Sequence, residues 1–379
     1  MKKILMITHS ANKTGGGEND FQTLLEYFQK RYYIYSITPE GPRVDDIKKV
    51  SDQTLVVPAR IFPFEGFNIK MYFAYIYYSI KKTFLLIPFL LKNKQNIDVV
   101  FVNSSVCIIE MVILWFLSIP FYLSIKEIIE PRFIRTMFYK FFYIAGINVI
   151  VISDLLRKLY VEVNKNSKPI LIRSSIDEES YMSEKLRLKN LYEHKSDDII
   201  TIVNIGVITP SKNQKLLIEA LYKLKSNVKI KVIFIGRVVD EKYYNSLNKL
   251  INSNNINNAE FIFKGNLSSK DVLKEIYESD FVVITSQKEG MSLVLVESLF
   301  MEKPLIATPV GVVPEVIING FNGFIVDNNP SELALKIENI ANDLNLRDFI
   351  ISNTFQTYKN NFSIDYYKSK HEELLFGDI

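Results

Sequence analysis

Residues 281–326 have the sequence FVVITSQKEGMSLVLVESLFMEKPLIATPVGVVPEVIINGFNGFIV, and this stretch is the most informative in the chain. Its pattern predicts a strand over Phe281–Thr285, a loop that contains glycine, a buried helix, and two further strands separated by a turn. Two carboxylates lie eight residues apart, Glu289 in the predicted loop and Glu297 in the predicted helix. On one helix they would be about 80° apart and about 12 Å apart along the axis, so they would hardly face a common ligand. The loop-and-helix placement therefore decides what the stretch can bind.

The start of the predicted helix offers further groups to a ligand. Ser292 is expected at the N-cap, and the backbone amides of Met291, Ser292 and Leu293 are expected to point toward the same cleft. These groups suit a ligand that has both hydroxyls and phosphates. They comprise an acid at the helix start, free amides beside it, and a second acid farther along the helix. The helix, Leu293–Met301, is apolar nearly all round, so it should be buried and Glu297 should need a partner.

This stretch resembles the nucleotide-sugar-dependent retaining glycosyltransferases of family 4, which have the GT-B fold. Their signature, S-x-x-E-G followed after six residues by E, is matched by Ser286, Glu289, Gly290 and Glu297. The family's G-x-x-P-E and N-G motifs are matched by Gly311, Pro314, Glu315 and Asn322-Gly323. Two glutamates at this spacing are weak evidence, whereas five elements in the family's order over about 40 residues are a strong signal. The alternative is that Glu297 is solvated and Glu289 is an ordinary loop charge.

Length and composition favour a cytosolic enzyme of two domains. A chain of 379 residues exceeds one ordinary core. The single cysteine, Cys107, excludes an intramolecular disulfide framework, and the three histidines are too scattered to predict a metal site. The start, MKKILMITHS, favours a strand over a signal peptide. A net charge of +4 is too slight to indicate nucleic acid as a partner.

Two series of alternating strands and helices predict two doubly wound parallel sheets, an α/β architecture. The predicted strands are Lys3–Thr8, Tyr32–Ile37, Thr54–Val57, Asp98–Val102, Phe121–Ile125, Asn148–Ile152 and Pro169–Ile172, then Ile199–Ile205, Ile230–Ile235, Glu260–Phe263, Phe281–Thr285, Leu305–Ala307 and Phe324–Val326. We predict an N-terminal domain over residues 1–176, a polar connection over 177–198, a donor domain over 199–360, and a C-terminal helix over 361–379 that packs back on the first domain. The active site is expected between the two domains, at the carboxyl ends of the strands.

A glycine-rich loop follows the first predicted strand. Gly15, Gly16 and Gly17 precede a helix expected to begin near Asn19, and such a helix start favours an anion. Asp20 occupies the third glycine position of a dinucleotide fingerprint, which disfavours a nicotinamide dehydrogenase. The family resemblance implies that this loop faces the donor diphosphate and the acceptor. The alternative is a turn without ligand contact.

A second loop follows the first strand of the donor domain. The family has Gly-Arg there and a lysine a few residues later, and the pair clamps the donor phosphates. Gly206 and Lys212 match, but Val207 replaces the arginine, so a bidentate contact would be lost. Arg237, at the end of the next strand, could substitute in part. The alternative for Lys212 is a solvated residue at a helix start.

The first domain departs further from the family. Where members carry a histidine that positions the phosphate or the sugar, this chain has Lys126. It either donates to the same oxygen or is a surface lysine. Asn103 and Ser104 follow the preceding strand and are expected to line the cleft. The resemblance is strong from about Ile199 to Asp327 and only architectural before that.

The segment Ile61–Lys94 is rich in aromatic and basic residues, and residues 60–145 contain ten Lys and Arg against five Asp and Glu. This pattern is typical of an interfacial helix on an anionic membrane. The alternative is a buried connecting helix with an aromatic core. The run Val106–Ile125 nearly reaches spanning length, but Glu110 and Pro120 interrupt it, so a helix followed by a strand is expected.

The resemblance implies a metal-independent retaining transferase of hexosyl type. It would move a sugar from a nucleotide diphosphate-sugar, which is a substrate rather than a cofactor, to a glycan or lipid-linked acceptor. Glu289 would contact the donor sugar, Glu297 the ribose, and Lys212 with the amides at Met291–Leu293 the leaving diphosphate. The expected setting is bacterial surface polysaccharide or glycolipid assembly in the cytoplasm, with peripheral contact at the inner face of the plasma membrane. A GT-B sugar-nucleotide epimerase and a non-catalytic homologue are the alternatives.

Overall fold

The computed structural model describes residues 1–12, 16–58, 69–191, 199–226, 228–253 and 259–377, with the backbone alone for 69–72. The chain divides into two compact units. The first unit comprises Met1–Ser175 and Ile364–Ile379, and the second comprises Ile176–Ser363. The stretch predicted as a connection, 177–198, contains a helix of the second unit, while its residues 192–198 lie outside the described ranges.

The strands and helices alternate along both units. The strands are β1 Lys3–Ile7, β2 Tyr33–Pro39, β3 Gln53–Val57, β4 Val99–Val102, β5 Tyr122–Ile125, β6 Asn148–Val151, β7 Ile170–Leu171, β8 Ile199–Ile205, β9 Lys229–Ile235, β10 Ala259–Phe263, β11 Phe281–Ile284, β12 Leu305–Ala307 and β13 Phe324–Ile325. The helices are α1 Gly16–Phe28, α2 Val44–Lys49, α3 Ile69–Asn93, α4 Ile108–Phe116, α5 Arg132–Ile144, α6 Asp154–Val163, α7 Glu178–Leu191, α8 Gln214–Leu221, α9 Glu241–Ser253, α10 Ser269–Glu278, α11 Leu293–Phe300, α12 Val313–Val316, α13 Pro330–Asn342, α14 Leu344–Phe362 and α15 Ile364–Phe376. Each predicted strand is present within two residues of its predicted bounds, which confirms the α/β prediction.

The first unit is built on a seven-stranded parallel sheet with the order β3-β2-β1-β4-β5-β6-β7. Strand order reverses between β1 and β4, so right-handed crossovers place α1 and α2 on one face and α3 to α6 on the other. Helix α15 packs against the first of these faces, where Tyr367 joins the core formed by Phe21, Phe28 and Phe101. The end of α15 is fixed by the ring of Phe376, which stacks on that of Tyr32 at a centroid distance of 3.8 Å.

The second unit is built on a six-stranded parallel sheet with the order β10-β9-β8-β11-β12-β13. Its strand order reverses between β8 and β11, and both strands are almost entirely buried because helices cover both faces of the sheet. Such a reversal leaves a crevice outside the carboxyl ends of the two neighbouring strands. The loops at these ends carry Gly206, Lys212 and residues 289–292 of the predicted site.

Helices α3 and α4 of the first unit are joined by a buried ion pair. Lys82 Nζ lies 2.8 Å from Glu110 Oε1, and the two side chains are only 11% and 3% exposed. The run Val106–Ile125 forms a helix and a strand, as predicted. Over the described part of the chain, no helix combines the length and apolarity that crossing a membrane requires.

We predict that Glu110→Ala lowers the free energy of unfolding by about 3–5 kcal/mol, because it leaves the Lys82 ammonium buried without its partner. The double substitution Lys82→Met/Glu110→Leu should recover most of the loss, since it removes both charges. Lys81→Ala, at the exposed neighbouring lysine, is the control and should change stability by less than about 0.5 kcal/mol. Urea denaturation followed by circular dichroism measures all three, and an unchanged transition in Glu110→Ala would contradict the prediction.

Candidate active site

The loops after β8 and β9 approach each other more closely than side chains would permit. A Cβ atom added to Gly236 would lie 2.1 Å from the carbonyl oxygen of Gly206, so only glycine fits there. The Gly206 amide donates to the carbonyl of Ile235 at 2.8 Å. Beyond this contact, the amide of Ile208 donates to the carbonyl of Arg237 at 3.0 Å, while the Arg237 side chain is exposed. These contacts fix the backbone on which Lys212 is carried.

Lys212 lies across Gly206 and reaches the loop after β11. A Cβ atom at Gly206 would meet Lys212 Cδ at 3.2 Å, so the glycine leaves room for the lysine chain. Asn213 follows with φ of 51° and is the N-cap residue of α8. The Lys212 carbonyl accepts a hydrogen bond of 2.8 Å from the hydroxyl of Thr285. The lysine is therefore held at both its backbone and its side chain.

Glu289 is the partner of the Lys212 ammonium. Lys212 Nζ donates to Glu289 Oε1 at 2.8 Å, and Ser286 Oγ donates to the same oxygen at 2.6 Å. The carboxylate is 10% exposed and the lysine side chain 28% exposed. The motif residues Ser286 and Glu289 and the phosphate-binding candidate Lys212 thus form one cluster, although 77 positions separate the two charged residues. Glu289 is therefore a paired, largely buried carboxylate, and its contact with a donor sugar stays a prediction.

The start of α11 lies next to this cluster in the chain. Ser292 occupies the N-cap position, as predicted, but its side chain makes no capping hydrogen bond. The amides of the first turn, from Leu293 onward, have no intrahelical partners by geometry. Gly311 has φ of 53°, and a Cβ added there would lie 3.2 Å from both the Gly290 carbonyl oxygen and the Cα of Met291. The Gly-x-x-Pro-Glu turn therefore packs directly on the loop that leads into α11.

Glu297 lies inside α11 and is buried, as its apolar surroundings predict. The hydroxyl of Tyr181, on α7, donates to Glu297 Oε1 at 2.8 Å. Burial raises the pKa of the Glu297 carboxyl to about 7, and the hydrogen bond from Tyr181 acts in the opposite direction. The alternative of a solvated Glu297 is wrong. Tyr181 escaped the sequence analysis because nothing in the sequence links two residues 116 positions apart.

Lys126 occupies a buried network in the first unit. Its side chain is 11% exposed and pairs with the buried carboxylate of Asp20. Lys126 Nζ also donates to Asn103 Oδ1 at 2.7 Å, and Ser174 Oγ donates to Asp20 at 3.1 Å. The alternative of a surface lysine is therefore wrong. Asp20, noted in the sequence only as a break in a glycine pattern, is the residue that neutralises it.

The glycine-rich loop differs from its prediction. Gly15 lies outside the described residues, while Gly16 and Gly17 form the first turn of α1, which begins before the expected start near Asn19. The carbonyl of Gly17 accepts a hydrogen bond of 2.9 Å from Asn103 Nδ2. The start of α1 is thereby tied to the Lys126 network.

A separate pocket of about 680 Å³ lies near the amino ends of β11 and β12. Asp280 and Lys303, which flank these strands, line it together with the ion pair of Lys264 and Glu275. None of the predicted site residues contributes to it. Because ligands of parallel α/β sheets bind at the carboxyl ends of strands, we place the candidate site at the Lys212–Glu289 cluster. In the described ranges, no three His, Cys, Asp or Glu side chains are grouped to hold a metal ion.

Comparison with known proteins finds similarity to glycosyltransferases. Residues 189–357 match the family model described as glycosyl transferases group 1. The chain is 35% identical over 109 residues to an uncharacterized glycosyltransferase of Methanocaldococcus jannaschii, a match that spans 28% of this chain and 30% of that protein. It is 24% identical over 249 residues to CapM, a capsular polysaccharide biosynthesis glycosyltransferase of Staphylococcus aureus, which spans 61% of this chain and 62% of CapM.

Solved structures match over nearly the whole chain. HepE of Anabaena, crystallised in complex with UDP, is 18% identical and superposes with a TM-score of 0.77, covering 98% of this chain and 99% of that one. A glycosyltransferase from Rickettsia africae is 20% identical with a TM-score of 0.77, covering 98% and 97%. At these identities the structures show the fold alone. The chain therefore has the GT-B fold, and the match of residues 189–357 supports a group 1 glycosyltransferase.

Proposed function

We propose that the protein is a retaining, metal-independent hexosyltransferase that uses a nucleotide diphosphate-sugar as donor. The observation that carries the proposal is the ion pair between Lys212, in the loop after β8, and Glu289, in the loop that leads into α11. The pair brings a cation for phosphates next to an acid for hydroxyls, beside helix amides that have no intrahelical partners. Crystal structures of HepE in complex with UDP and with UDP-glucose support a donor of this class.

Lys212 and the first turn of α11 would stabilise the leaving diphosphate. An ammonium group has three N–H donors, and one of them is directed to Glu289 in this structure. The others can meet a phosphate oxygen while the ion pair persists. Negative charge grows on the diphosphate as the glycosidic bond breaks, so groups fixed there before reaction lower the barrier.

The two glutamates would recognise different parts of the donor. Glu289 Oε1 already accepts from Lys212 and Ser286, so its Oε2 is the proposed acceptor for a sugar hydroxyl. Glu297, buried in α11, would accept from the ribose. Lys126 is bound to Asp20 and Asn103, so we assign it the task of holding the start of α1. Arg237, exposed beside the 206–208 backbone, would supply a further positive charge to the donor.

The proposed acceptor is a glycan or a lipid-linked sugar of bacterial surface polysaccharide or glycolipid assembly. Partial similarity to CapM supports this class of product. We further propose that the enzyme works in the cytoplasm with peripheral contact at the inner face of the plasma membrane.

Two measurements test the proposal. A thermal-shift screen with nucleoside diphosphates should raise the unfolding temperature for one base, since a bound ligand stabilises the folded state. Incubation of the corresponding nucleotide sugars without acceptor should release the nucleoside diphosphate slowly through hydrolysis. Conversion to an epimeric nucleotide sugar would instead identify an epimerase. Binding of a nucleotide sugar without either reaction would instead identify a non-catalytic homologue.

We predict that Lys212→Ala weakens nucleoside diphosphate binding by about 10- to 100-fold, because a charge-assisted contact contributes roughly 1.5–3 kcal/mol. Lys215→Ala is the matched control, since this exposed lysine on α8 pairs only with its helix neighbour Glu219 among the ion pairs that the structure describes. Isothermal titration calorimetry measures the nucleoside diphosphate affinity of both variants. Equal affinity of Lys212→Ala and wild type would place the phosphates elsewhere.

Substitutions of the two glutamates should have different effects on binding and on turnover. Glu297→Gln is expected to weaken nucleotide binding, because the ribose contact exists before and during reaction. Glu289→Gln is expected to lower kcat with a smaller effect on binding, because the sugar reorganises as its bond breaks. Calorimetry with the bare nucleoside diphosphate and steady-state kinetics with the full donor distinguish them. Wild-type nucleotide affinity in Glu297→Gln would refute the ribose assignment.

Nucleotide affinity should rise as pH increases through about 7, because a ribose hydroxyl donates best to the ionised Glu297. Tyr181→Phe removes a hydrogen bond that favours the carboxylate, so its affinity profile should move to higher pH. Titrations with nucleoside diphosphate on either side of pH 7 test this. Glu297→Gln is the control, and its nucleotide affinity should not show this rise with pH. A profile that does not respond to Tyr181→Phe would show that Glu297 does not control binding.

A further inference from the structure

The outward face of helix α3 is apolar along its length. Its most exposed large side chains recur at helical spacing, and each is 51% to 76% exposed: Phe73, Ile76, Tyr77, Ile80, Phe84 and Leu91. The inward face buries Leu86 and Leu90 and also contains the ion pair of Lys82 with Glu110. An ordinary surface helix is apolar toward the core and polar on its outer side. Burial within the first unit therefore does not explain this pattern.

The next two helices continue the same surface. Trp115 is 50% exposed and Phe116 79% exposed on α4, and α5 exposes Phe133, Met137 and Ile144. Helices α3 and α4 are joined by the Lys82–Glu110 pair, and the ring of Trp115 lies 5.8 Å from that of Phe141 on α5. All three helices cover the same face of the sheet, as the crossover rule requires. Their outer sides thus form one apolar surface, which we name the α3–α5 face.

The exposed charge on this surface has one sign. The sequences of α3, α4 and α5 contain a single acid, Glu110, which is buried. Among the side chains of these helices that the structure describes, the exposed charges are Lys81, Lys92, Arg132 and Lys140. Arg132 alone of these has an acid partner among the ion pairs of the described residues, Glu162 on α6 at 2.7 Å. An apolar surface whose own helices expose cations and no described acid matches an anionic lipid bilayer, with hydrocarbon at its centre and negative headgroups at its edge.

We infer that the α3–α5 face docks on the anionic surface of a lipid bilayer, with Phe84, Trp115 and Phe116 entering the headgroup region. The face lies within one unit and does not contain the candidate active site, so the inference stands or fails independently of the proposed glycosyl transfer. The structure also changes which residues of the segment Ile61–Lys94 are candidates for lipid contact. Phe62, Phe64 and Phe67 lie outside the described residues, and Lys82 is buried with Glu110, so it does not meet lipid.

Trp115 is the only tryptophan of the chain, which makes its fluorescence a direct probe of docking. Vesicles of phosphatidylcholine with phosphatidylglycerol should shift its emission to shorter wavelength, and phosphatidylcholine alone should do so far less. Co-sedimentation with the same vesicles should follow the same order and weaken as salt rises, because salt screens exposed charges. Brominated lipids should quench the emission if the indole enters the bilayer.

Two sets of variants test which groups carry the binding. Ile80→Ser/Phe84→Ser/Phe116→Ser should lower vesicle affinity at least 100-fold, since each large apolar side chain contributes about tenfold or more when buried. Lys81→Glu/Lys140→Glu should lower it on the order of tenfold per reversed charge, and only for anionic vesicles. Leu335→Ser/Leu344→Ser, at exposed apolar residues of the second unit, is the control and should bind as wild type. Circular dichroism melts establish that each variant is folded.

Failure of the wild-type protein to bind anionic vesicles would overturn the inference. An equal loss of vesicle affinity in the Leu335→Ser/Leu344→Ser control would also overturn it. Wild-type vesicle affinity in the apolar triple variant would do the same. A second copy of the chain is the competing occupant. If gel filtration shows a dimer that the triple variant dissociates while vesicle binding is absent, the α3–α5 face is a protein interface and the inference is wrong.

Discussion

The pairing of β8 with β11 is the constraint on which the candidate site depends. Val203 and Val282 are partners in this ladder, although the segments are far apart in the chain. Asn204 strengthens the junction, because its buried side-chain amide donates to the Val283 carbonyl at 2.8 Å. Since both strands run the same way, their following loops must emerge side by side. The contact between Lys212 and Glu289 follows directly from this parallel pairing.

The backbone of the fold was predictable because its signals are local. Buried parallel strands appear as short apolar runs, and the turn between Ile284 and Leu293 is marked by its polar and glycine residues. The loop position of Glu289 and the helix position of Glu297 follow from that pattern. Even the burial of Glu297 was predictable, because its helix neighbours are apolar all round.

The partners of the charged groups were not predictable. The pairing of Lys126 with Asp20 joins residues 106 positions apart, and either residue alone has the sequence context of a surface charge. Glycines at the start of α1 were mistaken for a loop because glycine also disfavours helix interiors. The pattern of α3 was ambiguous for a related reason. Aromatic and basic residues at helical spacing describe an apolar face, but only the tertiary contacts show that this face is turned outward.

Glu297 differs from the buried lysines Lys82 and Lys126 in the kind of partner that it has. Lys82 and Lys126 each contact a carboxylate, whereas Glu297 contacts a neutral phenol. A phenol offsets only part of the desolvation, so the folded-state pKa lies near 7 rather than at the ordinary 4.5. The contribution of this group to stability is therefore complete below about pH 4.5 and is lost as pH rises through about 7.

The cost of ionising Glu297 at neutral pH has a consequence for binding. The shift corresponds to a free energy on the order of 3 kcal/mol, and a buried apolar residue would avoid it. A ligand that donates hydroxyl groups to the carboxylate would recover part of that energy, because hydrogen bonds to the charged form favour ionisation. The same acid that weakens the free protein would then strengthen its complex. This cost therefore supports the proposed role of Glu297 as a hydrogen-bond acceptor for the ribose of the donor.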